Sequence, residues 1–176
     1  MKHKLLTLGF ILLAASSSAL AVDGYKGVKF GSTLSDLKAA NLCPWKKYES
    51  GNFKEIESYY CNDFKFSSKK TFAMAFFIND KFERLAITVP TTDFSAVLDG
   101  MKTKYGAPTT MATPEEADSV KLYGGSLSVK FDNDTIILNL SRDNATKEDS
   151  AYLIYSSQKY DEFYKQLRDK SVLNDI

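Results

Sequence analysis

Two alternating runs set the first limit on how this chain can fold. Phe72, Met74, Phe76 and Ile78 share one face of a stretch that breaks at Asn79-Asp80, and Leu85, Ile87 and Val89 resume the alternation facing inward. A period of two is the period of a strand. Asn and Asp tolerate the left-handed backbone of a tight turn, so residues 72–89 predict an antiparallel hairpin. A second pair follows, Leu127/Val129/Phe131 and Ile136/Leu138/Leu140, around Asp132-Asn133-Asp134. Shorter runs at 56–60, 120–123 and 151–155 read as further strands.

Helical spacing appears between these runs. Thr33 is placed as an N-cap, Asp36 completes a variant capping box, Leu34 and Leu37 share a face, and Pro44 stops the helix begun over 33–41. Phe94, Val97, Leu98, Met101 and Tyr105 form one stripe on a 3.6-residue period, ended by Gly106 and Pro108. Ser157 opens a last helix over 157–171, with Tyr160, Phe163, Tyr164 and Leu167 on its buried side. Tightly turned strands favour antiparallel pairing, so the predicted class is α+β.

The halves align with one another. Placing Phe30 on Phe94 brings Leu34 onto Leu98, Leu37 onto Met101, Lys38 onto Lys102 and Pro44 onto Pro108. Each half is then a helix ended by a proline and followed by a hairpin. This predicts two helix-plus-antiparallel-hairpin repeats, 28–90 and 91–156, forming one sheet, with the C-terminal helix after them. Gly31-Ser32-Thr33, Leu37 and Leu42-Cys43-Pro44 resemble the G-x-T…V…G-x-P helix signature of the small outer-membrane-assembly lipoproteins of the SmpA/OmlA (BamE-like) type. The tandem layout is similar to that of β-lactamase inhibitor proteins, whose two helix-plus-sheet repeats form one curved sheet. Here a cysteine replaces the glycine before Pro44, the second copy lacks the Gly-x-Thr start, and no lipid-attachment cysteine follows the leader. The resemblance implies binding or inhibition without chemistry.

The first 21 residues read as a signal peptide. Lys2, His3 and Lys4 form a basic start, Leu5 to Ala15 is an apolar run, and Ala19-Leu20-Ala21 offers small residues for cleavage after Ala21. A retained N-terminal anchor is the alternative. No later segment approaches the roughly 20 apolar residues of a membrane helix, so no stable membrane insertion is expected. The remainder, 22–176, is one ordinary domain, and a periplasmic location is expected. Its composition of 23 Lys and Arg against 22 Asp and Glu, with Lys2 and Lys4 lost to the leader, leaves it near neutral. A nucleic acid partner, which would select a basic surface, is not expected. In an oxidising compartment Cys43 and Cys61 most simply pair; two free thiols or a redox pair is the alternative.

The single histidine, His3, lies in the leader. The exported domain therefore lacks the usual general base and the commonest metal ligand, which excludes Ser–His and Cys–His nucleophiles and histidine-built zinc sites. Ser67-Ser68-Lys69-Lys70 contains S-x-x-K, but that chemistry needs a helix start, and here the motif enters a strand; a solvated basic loop is the reading. Asp132-Asn133-Asp134 reads as turn rather than calcium loop. Glu115, Glu116 and Asp118 read as a solvated acidic loop, with a plug for a basic cleft as the alternative. Neither an enzymatic activity nor a cofactor nor a metal is expected.

Aromatic residues carry the binding expectation. Trp45, Tyr48, Phe53, Tyr59 and Tyr60 crowd around the cysteine pair, and Tyr and Trp bury large contact areas at low entropic cost. The expectation is a non-enzymatic periplasmic module that binds another protein of the cell envelope, as inhibitor, toxin-immunity factor or assembly factor. Carriage of a small apolar or lipidic ligand is the alternative. A glycosidase-like site would need two converging carboxylates, and no spacing singles out a pair.

Overall fold

The computed structural model describes residues 21–50 and 53–175. The expected leader, Ala21 apart, lies outside the described residues. The chain is α+β, with antiparallel pairing and a C-terminal helix. A small hairpin, β1 (Gly24–Tyr25) and β2 (Val28–Lys29), is followed by α1 (Leu34–Ala39). Then come β3 (Lys46–Tyr48), β4 (Ile56–Phe66), β5 (Lys69–Ile78) and β6 (Lys81–Val89). Next are α2 (Phe94–Tyr105), α3 (Pro114–Tyr123), β7 (Gly125–Phe131), β8 (Ile136–Arg142), β9 (Asp149–Ser156) and α4 (Gln158–Asp175).

Seven strands form one antiparallel sheet in the order β3-β4-β5-β6-β9-β8-β7. The first half contributes a four-stranded meander, β3 to β6, and the second a three-stranded one, β7 to β9, rather than bare hairpins, and the last strands of the two meanders pair, from Arg84 with Ser156 to Val89 with Ala151. The turns use the expected chemistry: Asn79 and Asp80 both have positive φ, as do Asp132, Asn133 and Asp134. Ser67 and Ser68 form a turn of the same kind, so the S-x-x-K stretch has no helix. Its lysines lie on β5, where Lys69 meets Asp93 at 2.7 Å and Lys70 meets Asp63 at 3.0 Å.

The inner face of the sheet carries the main core. Ala73, Ala75 and Phe77 of β5 lie beside Leu85, Ile87 and Val89 of β6, Leu153 of β9 and Leu138 of β8, all buried. Leu37 of α1 and Met101 of α2 close over them, with Tyr25 and Val28 of the small hairpin. The α1 box forms: Asp36 N donates to Thr33 Oγ1 at 3.3 Å, and Thr33 N donates to Asp36 Oδ2 at 2.8 Å.

One element departs from expectation. Residues 120–123, read as a strand, are the last turns of α3. Thr113 caps that helix, Pro114 opens it, and the Glu116 carboxylate accepts from Thr113 N at 2.8 Å. Val120 and Leu122 mimic alternation only because the helix ends immediately after them, at Gly124. Glu115 and Glu116 are accordingly in a helical first turn, where the macrodipole favours acids, and not in a loop.

On the outer face α4 covers only one end. Its start is fixed by a buried carboxylate: Ser157 Oγ donates to Glu83 Oε2 at 2.6 Å and accepts from Tyr160 N at 3.0 Å. Lys159 lies 3.6 Å from the same carboxylate. Tyr160 then packs on Ile56 and Ile78, with Phe76, Phe163, Tyr164 and Leu167 around them. Among the described residues no helix is long and apolar enough to cross a membrane.

Cys43 and Cys61 are disulfide-bonded, joining the segment after α1 to β4 with Cα atoms 6.2 Å apart. Replacing both by alanine is expected to lower unfolding free energy by roughly 3 kcal/mol, the loop-closure value for a ring of this size, read by denaturant titration. Alkaline pH tests the core. Burial, and then the neighbouring Tyr105, push the Tyr25 hydroxyl up to about 12, and Tyr155 is raised in the same direction, again first by burial. A raised folded-state value means stability is intact below the unfolded value near 10 and is lost as pH climbs toward 12. Circular dichroism should therefore show unfolding that begins above roughly pH 10, together with tyrosinate absorbance. Tyr155→Phe should move that onset upward.

Candidate functional site

Parity along β4 decides which aromatics reach solvent. Tyr59 pairs with Ala75 and points inward, so Tyr60, which pairs with Met74, points outward. Lys46 pairs with Tyr60 and therefore shares the outer face. Phe72 follows on β5, its ring stacked on Tyr60 at 6.2 Å and 23°, and Tyr48 meets Tyr60 edge-on at 6.3 Å. Tyr48 is 41% exposed and Phe72 38%, with Tyr60 and Met74 partly exposed beside them. The patch continues across the sheet through Ala86 and Ile154 to Ile137, with Tyr152 on its flank at 37% exposure. None of these residues is in the cluster under α4.

The same corner is basic. A groove of about 740 Å³ runs beside the disulfide, lined by Lys38, Cys43, Trp45, Lys46, Asp63 and Lys65 among others. Asp63 is taken by Lys70, whereas Lys38, Lys46 and Lys65 have no ion-pair partner among the described residues. The buried indole N–H of Trp45 also has no acceptor there. An aromatic stack thus borders a groove with surplus positive charge and one unused donor.

The five aromatic residues singled out from sequence divide among three places. Trp45 and Tyr59 are core side chains, Trp45 lying 6.0 Å from Phe64 and Tyr59 5.4 Å from Phe77. Phe53 packs edge-on against Tyr164 of α4 at 5.4 Å. Only Tyr48 and Tyr60 join the outer patch. Phe72 and Met74 belong with them, and the signal for both was present in the alternation of β5. Among the described residues no group of three or more His, Cys, Asp or Glu is placed to hold a metal ion.

A second concavity, of about 500 Å³, lies on the inner side between α2 and the β4–β5 turn. Phe66, Val97, Met101, Leu153 and Tyr155 supply most of its apolar wall, with Lys69, Asp93 and Lys104 at its rim.

Fold and site together define an α+β protein with one broad antiparallel sheet, an open aromatic face and a basic corner. Residues 25–175 match the model of a family described as "Uncharacterised protein", and the chain belongs to that family. It is 33% identical over 156 residues to an "Uncharacterized protein" of Haemophilus influenzae (strain ATCC 51907 / DSM 11121 / KW20 / Rd), covering 85% of this chain and 84% of that one. No solved structure matches.

Neighbouring positions should respond very differently to truncation. Phe77→Ala, emptying a fully buried site, is expected to cost about 3–5 kcal/mol. Tyr60→Ala and Phe72→Ala, on the open face, are expected to cost about 1 kcal/mol each, in the range of ordinary substitutions. Denaturant midpoints at unchanged slope would measure the contrast.

Proposed function

We propose that this protein is a non-enzymatic binding protein of the bacterial cell envelope, exported to the periplasm and docking an acidic segment of another protein at its basic aromatic corner. The observation that carries the reading is the exposed Tyr48–Tyr60–Phe72 stack beside Lys38, Lys46 and Lys65, which have no acidic partners among the described residues. A stacked, preordered aromatic row gives up little entropy on contact, and desolvated rings of this kind supply binding hot spots. The free ammonium groups favour carboxylates and steer their approach. Inhibition, immunity to a toxin or assembly of an envelope complex are the roles this surface would serve. The sequence resemblance of Gly31-Ser32-Thr33 and Leu42-Cys43-Pro44 to the SmpA/OmlA type, and of the tandem layout to the β-lactamase inhibitor proteins, motivates that range.

The test uses the mature protein as bait on envelope and culture fractions, beside Tyr60→Ser/Phe72→Ser and Lys46→Glu/Lys65→Glu variants. A specific partner should be retained by the parent and weakened about 30-fold by loss of the two rings. Charge reversal should weaken it about tenfold or more, with most of the salt dependence removed. Retention unchanged by either pair would move the site elsewhere. A second reading, carriage of a small apolar ligand, is favoured by the apolar wall of the inner concavity beside α2. Co-purification of a lipid or metabolite, with no protein retained, would select it over the first.

A further inference from the structure

Val22 is the residue that follows the small-residue cleavage site. Its side chain packs against the main core, and its backbone nitrogen donates to Oδ2 of Asp132 in the turn between β7 and β8. The two residues stand 110 positions apart, so the contact ties the start of the domain to its second half. Asp132 also accepts from Thr135 Oγ1 at 3.1 Å, and it is only partly exposed. Both of its donors are neutral. Lys130, on the same turn, is taken by Asp134 at 3.1 Å, and Asp132 has no ion-pair partner among the described residues. A partly buried carboxylate thus lacks a counter-charge at the one nitrogen that processing would make cationic.

We infer that hydrolysis of the Ala21–Val22 bond arms this contact as a latch. Water adds across the amide: its oxygen completes a carboxylate on Ala21, and the Val22 nitrogen leaves as an α-ammonium. That ammonium is formed already seated on Asp132. The neutral hydrogen bond becomes an ion pair that fastens the β1–β2 hairpin to the β7–β8 turn, and the domain reaches full stability only when its leader is gone. The inference rests on the export half of the reading above, cleavage after Ala21, and not on the partner.

The test is a cycle of four proteins. One begins at Val22, released from a fusion by a protease that leaves no extra residue. Another keeps Ala19-Leu20-Ala21 ahead of it, and each is also made with Asp132→Asn. Asparagine keeps the acceptor oxygen, tolerates the positive φ of this turn and removes only the charge. With Asp132 present, the Val22 form should melt about 2–4 °C above the extended form, the shift expected of one partly buried ion pair in a domain of this size. In the Asp132→Asn background the gap should close. An equal gap in both backgrounds, or no gap in either, overturns the latch. Sequencing the N-terminus of the exported protein should find Val22 first; another first residue overturns it on different grounds. Both readouts are independent of partner capture.

Discussion

The pairing of β6 with β9 is the interaction on which the rest of the molecule depends. Two meanders, one of four strands and one of three, would each expose the edge of their last strand, and joining those strands removes one edge from each. The six paired positions place Leu85, Ile87 and Val89 beside Tyr155, Leu153 and Ala151, side chains that exclude solvent at the centre of the inner face. The seam also makes the sheet wide. Two short helices and a two-strand hairpin suffice to cover one side of it, and α4 covers one end of the other. The open outer face follows from that mismatch between seven strands and the helices available to cover them.

The remaining edges are handled unequally. β7 is bridged at Lys130 by the segment through Thr110, while β3 adds only Lys46–Tyr48 to the side of β4. Short, lysine-bearing edges resist strand-to-strand aggregation, because a second strand would have to bury the charges. Lys47 of that edge meets Glu57 at 4.0 Å, whereas Lys46 has no carboxylate partner among the described residues and adds to the positive charge of the corner.

Elements were legible in the sequence wherever a local signal determined them. The Asn79-Asp80 turn, the Thr33/Asp36 box, the stripe of α2 and the final helix depend on residues within a few positions of each other, and all stand near where they were expected. The class followed from them. Residues 120–123 were misread because a four-residue window cannot separate strand alternation from the last turns of a helix; the cap that decides it lies upstream at Thr113 and Glu116. The aromatic cluster was less legible, for a geometric reason. Proximity in sequence says nothing about side, and Tyr59 and Tyr60 face opposite ways because they are neighbours on a strand. The buried face of β5 is marked by Ala73 and Ala75, small residues that give a weak signal, and its bulkier alternates Phe72 and Met74 lie outside. The surplus of positive charge was invisible altogether, since it depends on which carboxylates fold back onto which lysines.

Two cross-links join distant parts of this molecule. The disulfide ties the end of α1 to β4 within the first half, and Val22 meets Asp132 in the second. On the export reading both depend on the compartment: one needs an oxidant, the other removal of the leader. A chain still attached to its leader in a reducing compartment would then lack the disulfide and the charge on Val22, and its meanders would be held by the β6–β9 ladder and hydrophobic burial. That difference has a sign useful for translocation, because an export channel passes unfolded chain, and a domain that gains its last cross-links only after crossing opposes its own passage least. Stability is added in this scheme where it no longer obstructs, and the site at the β3–β4 corner, which the disulfide helps to shape through Cys43 and Trp45, is completed in the compartment where its partner would be met.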